Sequence, residues 1–96
     1  MGNRIKIEEK NLRKNVVFNI MVIGFVLVNT AVGKDREVYD ALLGVSEVTE
    51  LYILFGEYDV LAKIETDSVE KLSHIVINRI RSLDGVIETK TLTGAS

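Results

Sequence analysis

Two copies of one pattern decide the fold: LLGVSEV at Leu42–Val48 and, about forty residues later, SLDGVIET at Ser82–Thr89. The copies align on Gly44 and Gly85, and each glycine stands where a helix-like segment gives way to a strand-like one. Upstream of each helix-like segment lies an apolar run of the kind that forms strands. The chain is therefore predicted to contain two βαβ halves in succession.

The two halves predict an α+β fold in the order β1-α1-β2-β3-α2-β4, the split βαβ or ferredoxin-like arrangement. In this arrangement an antiparallel sheet carries two helices on one face. The first helix is predicted from about Asp35 to Leu43, with Val38, Ala41 and Leu42 facing inward. Gly44 is predicted to end it in a left-handed turn.

The second helix is predicted to start at Asp67 or Ser68, because either side chain can cap free backbone amides. It should end before Gly85. Its predicted buried stripe has helical spacing and consists of Val69, Leu72, Val76, Ile80 and Leu83.

Composition limits what this single small domain can do. The chain of 96 residues carries 12 basic and 14 acidic residues, a net charge of −2 with the signs mixed, which argues against direct binding of nucleic-acid phosphates. It has no cysteine and one histidine, His74, so no thiolate or histidine metal cluster is predicted, and no cofactor. No catalytic residue is predicted either, since no nucleophile with a base, acid pair or phosphate loop stands out.

The N-terminal end is interpreted as a charged extension, residues 1–15, ahead of a single domain at 16–96. Basic residues before the apolar run 16–28 also resemble a signal peptide. Against that alternative, Asn19 interrupts the run, two glutamates lie among the basic residues, and the run is shorter than the roughly 20 residues of a membrane span. A cytoplasmic protein without membrane contact is therefore expected, and Met21 is a possible alternative start.

The strands predict association through the sheet. In Val48–Phe55 simple alternation puts Val48, Glu50, Tyr52 and Leu54 on one face and Thr49, Leu51, Ile53 and Phe55 on the other. Two helices can cover only one face of the sheet, and the other would leave a large apolar patch. We therefore predict a dimer through the open sheet face, with contacts from Leu51, Ile53 and Phe55. In the alternative, the N-terminal extension covers that face.

A tight link at Phe55–Asp59 joins the two βαβ halves, between β2 and β3. Gly56 permits the positive backbone angle that a hairpin needs. The motif GEYD at Gly56–Asp59, followed by Val60–Ala62, a helix, LDGV at Leu83–Val86 and the alternating Thr89 and Thr91, resembles one family. It is similar to the ligand-sensing C-terminal domain of the Lrp/AsnC transcription regulators, called RAM. The resemblance covers about residues 23–93.

The resemblance implies an amino-acid effector bound by Gly56, Tyr58, Asp59, Thr89 and Thr91. It also implies dimers that assemble into rings, octamers among them, and a full-length regulator of the same family as a possible partner. The short stretch ahead of the first strand has no paired-helix pattern like the helix-turn-helix of such regulators. The chain is therefore interpreted as a stand-alone sensor that acts on transcription indirectly.

The chemistry of these residues suits an amino acid, which presents an ammonium and a carboxylate on one carbon. Asp59 can accept from the ammonium, Gly56 allows a close approach, and Thr89 and Thr91 put two hydroxyls on one strand face. Each residue also has a structural interpretation: Gly56 can serve the turn, Asp59 can cap it, and the threonines are good strand formers.

Two other binding functions stay open at this point. ACT-type amino-acid sensors have a similar topology and also bind effectors between subunits. An architectural partner that co-assembles with full-length regulators would need no ligand at all. An enzyme is the least supported reading, although some small ferredoxin-like dimers are enzymes.

Overall fold

The computed structural model describes residues 21–95. The elements are β1 Val22–Thr30, α1 Asp35–Leu43, β2 Val48–Ile53, β3 Val60–Thr66, α2 Val69–Ile75 and β4 Val86–Ala95, and α2 continues as a π-helical segment, Val76–Ile80. The strands form one antiparallel sheet in the order β2-β3-β1-β4. This element order and sheet confirm the predicted ferredoxin-like fold. The predicted extension at 1–15 and the start of the apolar run lie outside the described residues.

The core lies between the two helices and one face of the sheet. Alternate residues of the two central strands are buried there, among them Val26 and Val28 of β1 and Val60 and Ile64 of β3. Val38 and Leu42 of α1 and Leu72, Ile75, Val76 and Ile80 of the second helix cover them. The buried residues of the strands, which alternate along the chain, therefore pack against the buried residues of the helices, which have helical spacing.

Gly24 lets α2 approach the sheet closely. It lies on the helix-covered face of β1, and a Cβ added there would come within 2.6 Å of Leu72 Cδ1. Any larger residue would occupy the space that the Leu72 side chain fills. The packing distance between α2 and β1 therefore depends on the missing side chain.

The observed helix ends agree in part with those predicted from the sequence. Ser68 caps α2, because its hydroxyl accepts a hydrogen bond from the Lys71 amide at 3.1 Å. Gly85 has a φ of +97° after the second helix. Gly44, however, has a φ of −85° in the right-handed region, so the left-handed turn predicted there is wrong.

Two inward-facing assignments are also wrong. Ala41 of α1 is exposed, and so is Val69, at the first position of α2. Val69 is the first residue of α2, and its exposed fraction is 54%. None of the helices within residues 21–95 is long and apolar enough to cross a membrane.

Candidate functional site

The hairpin between β2 and β3 holds three of the predicted ligand residues. The Leu54 amide donates to the Asp59 carbonyl at 2.8 Å and closes the turn. Gly56 has a φ of +155°, and a Cβ added there would meet no atom within 4 Å, so the backbone angle rather than crowding explains this glycine. Tyr58 is half-buried beside it. The turn is thus built as the sequence predicted.

Asp59 ties this hairpin to β1. Its Oδ2 accepts hydrogen bonds from the Thr30 amide at 2.8 Å and from the Thr30 hydroxyl at 3.1 Å. Its own amide donates to the Val28 carbonyl at 2.9 Å. One carboxylate oxygen is therefore engaged in holding the end of β1, which is the structural role that the sequence left open.

The two predicted threonines lie on the opposite side of β1. Thr89 pairs with Val28 and Thr91 with Val26, so both side chains share the helix-covered face. Val28 pairs on its other side with Val60, which adjoins Asp59. With strands spaced about 4.8 Å apart, Asp59 and Thr89 are separated by roughly 10 Å. Within one chain, the predicted site residues form two groups rather than one pocket.

A groove runs beside the second group, between β4 and the second helix. It exists because α1 packs over β2 and β3, and α2 packs over β3 and β1, so β4 is the least covered strand. The volume of the groove is about 240 Å³. Its lining combines aliphatic side chains, three hydroxyls and one guanidinium: Val69, Leu72, Ser73, Val76, Ile77, Arg81, Thr91 and Thr93.

Sequence reasoning missed three polar residues of this groove: Ser73, Arg81 and Thr93. The alternation of Thr89, Thr91 and Thr93 along one strand face was the available signal for Thr93. Arg81 gave none, because its place depends on the π-helical segment. The Arg81 amide donates to the Val76 carbonyl, five residues back, at 2.8 Å. Such π-helical turns are frequent at functional sites.

The three residues predicted for the dimer contact are placed differently from the prediction. Leu51 pairs with Ala62 and Ile53 with Val60, so both lie on the helix-covered face, and Leu51 packs against the core. Phe55 lies beyond the end of β2, in the hairpin, and is 97% exposed. The assignment of Leu51 and Ile53 to the open sheet face is therefore wrong.

The physical reason is a β-bulge at the start of β2. Val48 pairs with Ile64 and Glu50 with Lys63, so Thr49 is an extra residue in the strand. One extra residue moves every later side chain to the opposite face. Simple alternation along the sequence could not show this shift.

The open sheet face has an apolar part on the strands β1, β3 and β4. Phe25 is 38% exposed and its partner Leu92 is 51% exposed. Tyr52 lies on the same face, because it pairs with Leu61. This apolar part consists of Ile23, Phe25, Leu27, Leu61 and Leu92, with Tyr52 beside it.

A polar network occupies the β2 side of the open face. The Tyr52 hydroxyl donates to Glu50 Oε1 at 2.6 Å, and Lys63 Nζ donates to Glu50 Oε2 at 3.3 Å. These hydrogen bonds, from Tyr52 first and then from Lys63, lower the pKa of Glu50. The bond to Glu50 raises the pKa of Tyr52 and the pKa of Lys63. The network joins β2 to β3 across the bulged region.

The fold and the groove define a class: a small ferredoxin-like α+β domain with a ligand-sized groove at one edge of its sheet. The family model of the Lrp/AsnC ligand binding domain matches residues 23–93. The chain therefore belongs to the Lrp/AsnC ligand-binding domain family, as the resemblance in its sequence predicted.

Curated relatives in this family are regulators by name. The HTH-type transcriptional regulator FL11 of Pyrococcus furiosus is 32% identical over 71 residues, which is 74% of this chain and 46% of FL11. Regulatory protein AsnC of Escherichia coli is 32% identical over 95 residues, which is 95% of this chain and 57% of AsnC. The chain thus spans about half the length of these relatives. Their names are consistent with a binding protein rather than an enzyme.

Solved structures show the same fold. FFRP-DM1 is 40% identical with a TM-score of 0.73, and the match covers 76% of this chain and 97% of that chain. A transcriptional regulator of Neisseria meningitidis, solved as a complex with L-Met, has a TM-score of 0.71 at 21% identity, and the match covers 88% of this chain and 60% of that one.

Proposed function

We propose that this chain binds an amino acid or a related metabolite as an effector, and that binding changes its assembly and thereby transcription. The observation that carries the proposal is the groove beside Thr91, which lies in a domain of the Lrp/AsnC ligand-binding family. The groove offers hydroxyls and a guanidinium for a carboxylate, and aliphatic walls for a side chain. The L-Met complex of the Neisseria meningitidis regulator supports an amino-acid-sized ligand on this fold.

The separation of the predicted ligand residues favours a site completed by a second copy. Thr89 and Thr91 lie beside the groove, whereas Gly56, Tyr58 and Asp59 lie in the hairpin across β1. A hairpin from a neighbouring chain could supply the second group. In that arrangement the ligand would bridge two chains.

The open sheet face supports a dimer as the unit of assembly. Its apolar part, centred on Phe25 and Leu92, is the kind of surface that soluble proteins bury against a partner. A second copy packed sheet to sheet would make an isologous interface, and contacts at the hairpins would then join dimers into a ring. A full-length regulator of the family could take the place of one copy.

The proposed mechanism is mass action. A ligand that bridges two chains stabilises the assembly that holds it, and it shifts the population of assemblies only by its difference in affinity between them. No covalent step or cofactor is required.

The test is a thermal-shift titration of the full chain against each common amino acid, with assembly size followed by light scattering. We expect selective stabilisation and a change of size with a few ligands. Thr91→Val should weaken the response by removing one hydroxyl of the groove. Thr49→Val is the matched control, because the Thr49 hydroxyl bonds to Glu65 on β3, away from the groove.

A flat response to every amino acid and related acid at millimolar concentration would contradict the proposal and favour the architectural partner, which needs no ligand. An unchanged size with a ligand that binds would reject the mass-action mechanism alone. Equal loss of response in Thr91→Val and Thr49→Val would assign the effect to stability instead of binding.

A further inference from the structure

One end of the sheet carries the three most exposed large hydrophobic side chains that the structure describes: Val32, Phe55 and Ile87. All three lie near Thr30, the last residue of β1. Val32 follows Thr30 by two positions, and the hairpin that carries Phe55 is bonded to Thr30 through Asp59. Ile87 is an extra residue of β4 at the point where Thr30 pairs with Val86. We call these three side chains the end patch. Exposed apolar side chains clustered in this way mark interaction sites.

The hairpin presents Phe55 from a fixed base. The Leu54 amide donates to the Asp59 carbonyl, and the amide and the carboxylate of Asp59 both bond to β1. Only four residues, 55–58, lie between these anchored positions. Because the backbone around Phe55 is already ordered, a contact made through its ring costs little conformational entropy. Aromatic side chains are also enriched in the centres of protein interfaces.

The charge of this end restricts what can dock there. Glu57 in the hairpin and Glu88 on β4 are exposed, and neither forms a salt bridge with any residue in 21–95. Lys34 is engaged by Glu37 and Asp84. Two end patches that faced each other would therefore bring like charges together, which is unfavourable. A partner surface that is apolar and positively charged fits this end best.

The groove between β4 and the second helix is such a surface on the same molecule. Val69 and Ile77 belong to its lining and are more than half exposed, so its rim is apolar. Arg81 is the single charged residue of the lining, and it forms no salt bridge within the part of the chain that the structure describes. A smaller groove between α1 and β2 includes Glu50, whose carboxylate would repel the hairpin. The groove with Arg81 is therefore the complementary one.

We infer that the end patch of one chain docks on the groove of a second copy, with Phe55 packed against Val69 and Ile77. The acidic residues of the hairpin then face Arg81. In this arrangement the second copy forms the lid of the effector site, and its Asp59 comes to the side of the groove that holds Thr91. The inference rests on the proposed function, because it takes the groove as the effector site, and it names the two surfaces that complete that site.

The first experiment measures the mass of the full chain by analytical ultracentrifugation, without ligand and with millimolar L-methionine. We expect the parent chain to form an assembly larger than a dimer. Phe55→Asp should stay folded by circular dichroism and raise the dissociation constant of the contact by at least about 30-fold, as the loss of an aromatic anchor does. Ile77→Asp should have the same effect from the groove side.

Two control variants separate the contact from general surface effects. Leu43→Asp should keep the mass of the parent chain, because Leu43 is also more than half exposed but lies at the far end of α1. Arg81→Glu should weaken the contact by about tenfold, since it places like charges together. Arg36→Glu is its control, because Arg36 lies on α1 and pairs with Asp40.

A mixing experiment tests whether the two surfaces are different ones. Phe55→Asp keeps an intact groove, and Ile77→Asp keeps an intact hairpin. A heterologous contact needs only one intact surface from each chain. An equimolar mixture of the two variants should therefore regain an assembly larger than a dimer, which neither variant forms alone.

Each contrary result has a separate meaning. Parental mass in Phe55→Asp or Ile77→Asp, or a mixture that stays at dimer size, would overturn the docking of the end patch on the groove. An effect of Arg81→Glu no larger than that of Arg36→Glu would overturn the role of Arg81. A parent chain no larger than a dimer that still responds to amino acids in the thermal-shift titration would overturn this inference and leave effector binding standing. Assembly that depends on Phe55, with a flat thermal response to every amino acid, would keep the contact and overturn the proposed effector.

Discussion

Individual residues carry much of this fold through contacts that composition does not show. Gly24 is the sharpest case, since the space beside it is filled by Leu72. Gly94 lies on β4 with no atom within 4 Å of an added Cβ. Alanine substitutions at these two glycines therefore separate the cost of crowding in the core from the effect of replacing a glycine in a strand.

We expect Gly24→Ala to lower the free energy of unfolding by about 1–3 kcal/mol, the usual cost of overpacking a core. Gly94→Ala should change it by less than about 0.5 kcal/mol. Because the clash is with Leu72, the double variant Gly24→Ala with Leu72→Ala should cost less than the sum of the singles. Urea unfolding of Gly24→Ala, Leu72→Ala, their double variant and Gly94→Ala measures these free energies. Additive costs would show that Leu72 is not the obstacle.

Asp59 is the second residue whose role can be measured directly. Asp59→Ala leaves the Thr30 amide without its acceptor, so we expect a loss of about 1–3 kcal/mol in the free energy of unfolding with no ligand present. Thr30→Val removes only the hydroxyl donor and should cost less. If Asp59→Ala is as stable as the parent chain, the carboxylate is free for a ligand and its structural role is minor.

At the scale of elements, β2 is joined to β3 by the network of Glu50, Tyr52 and Lys63, which should respond to pH. The lowered pKa of Glu50 means that its contribution to stability is present above the ordinary value of 4.5 and is lost as pH falls through the folded value. The raised pKa values of Tyr52 and Lys63 mean that theirs are present below 10.0 and 10.5 and are lost as pH rises through the folded values.

We therefore expect the stability difference between the parent chain and Glu50→Gln to be small and constant from about pH 6 to 9, and to shrink toward both extremes. Unfolding by urea across this range measures it. Glu57→Gln is the control, because Glu57 is exposed in the hairpin. A difference that stays constant into acid would mean that Glu50 keeps its ordinary pKa in the folded chain.

At the scale of the whole molecule, the two sheet faces differ in what they tolerate. Leu51→Asp should unfold the chain, because Leu51 packs against the core under the helices. Phe25→Glu should leave the chain folded and reduce its size in solution, because Phe25 lies on the open sheet face. Phe55→Asp should leave the fold intact, since this side chain is 97% exposed.

Light scattering for mass and circular dichroism for folding measure these three variants. A parent chain that is already monomeric, or a Phe25→Glu chain of unchanged mass, would reject the dimer through this face. A folded Leu51→Asp chain would contradict the register of β2.

The sequence by itself determined the order of elements, most of the buried stripes of the two helices, the choice of Asp67 or Ser68 as the cap of α2, and the hairpin at Gly56. These features are local, because each depends on a period or a turn residue within a few positions. The family could also be recognised from the sequence, because its motifs are short runs of residues at loop and strand positions.

Only the tertiary structure decided which face of β2 is buried and which polar groups meet at the groove. A single bulge at Thr49 turned Leu51 and Ile53 toward the helices, and a one-residue shift leaves no trace in the alternation itself. Arg81 and Thr91 lie beside one groove because a π-helical segment and the sheet order place them there. The two residues belong to different elements, and no local sequence pattern links them. Such contacts depend on how the elements pair in the folded chain, and a local sequence pattern does not show that pairing.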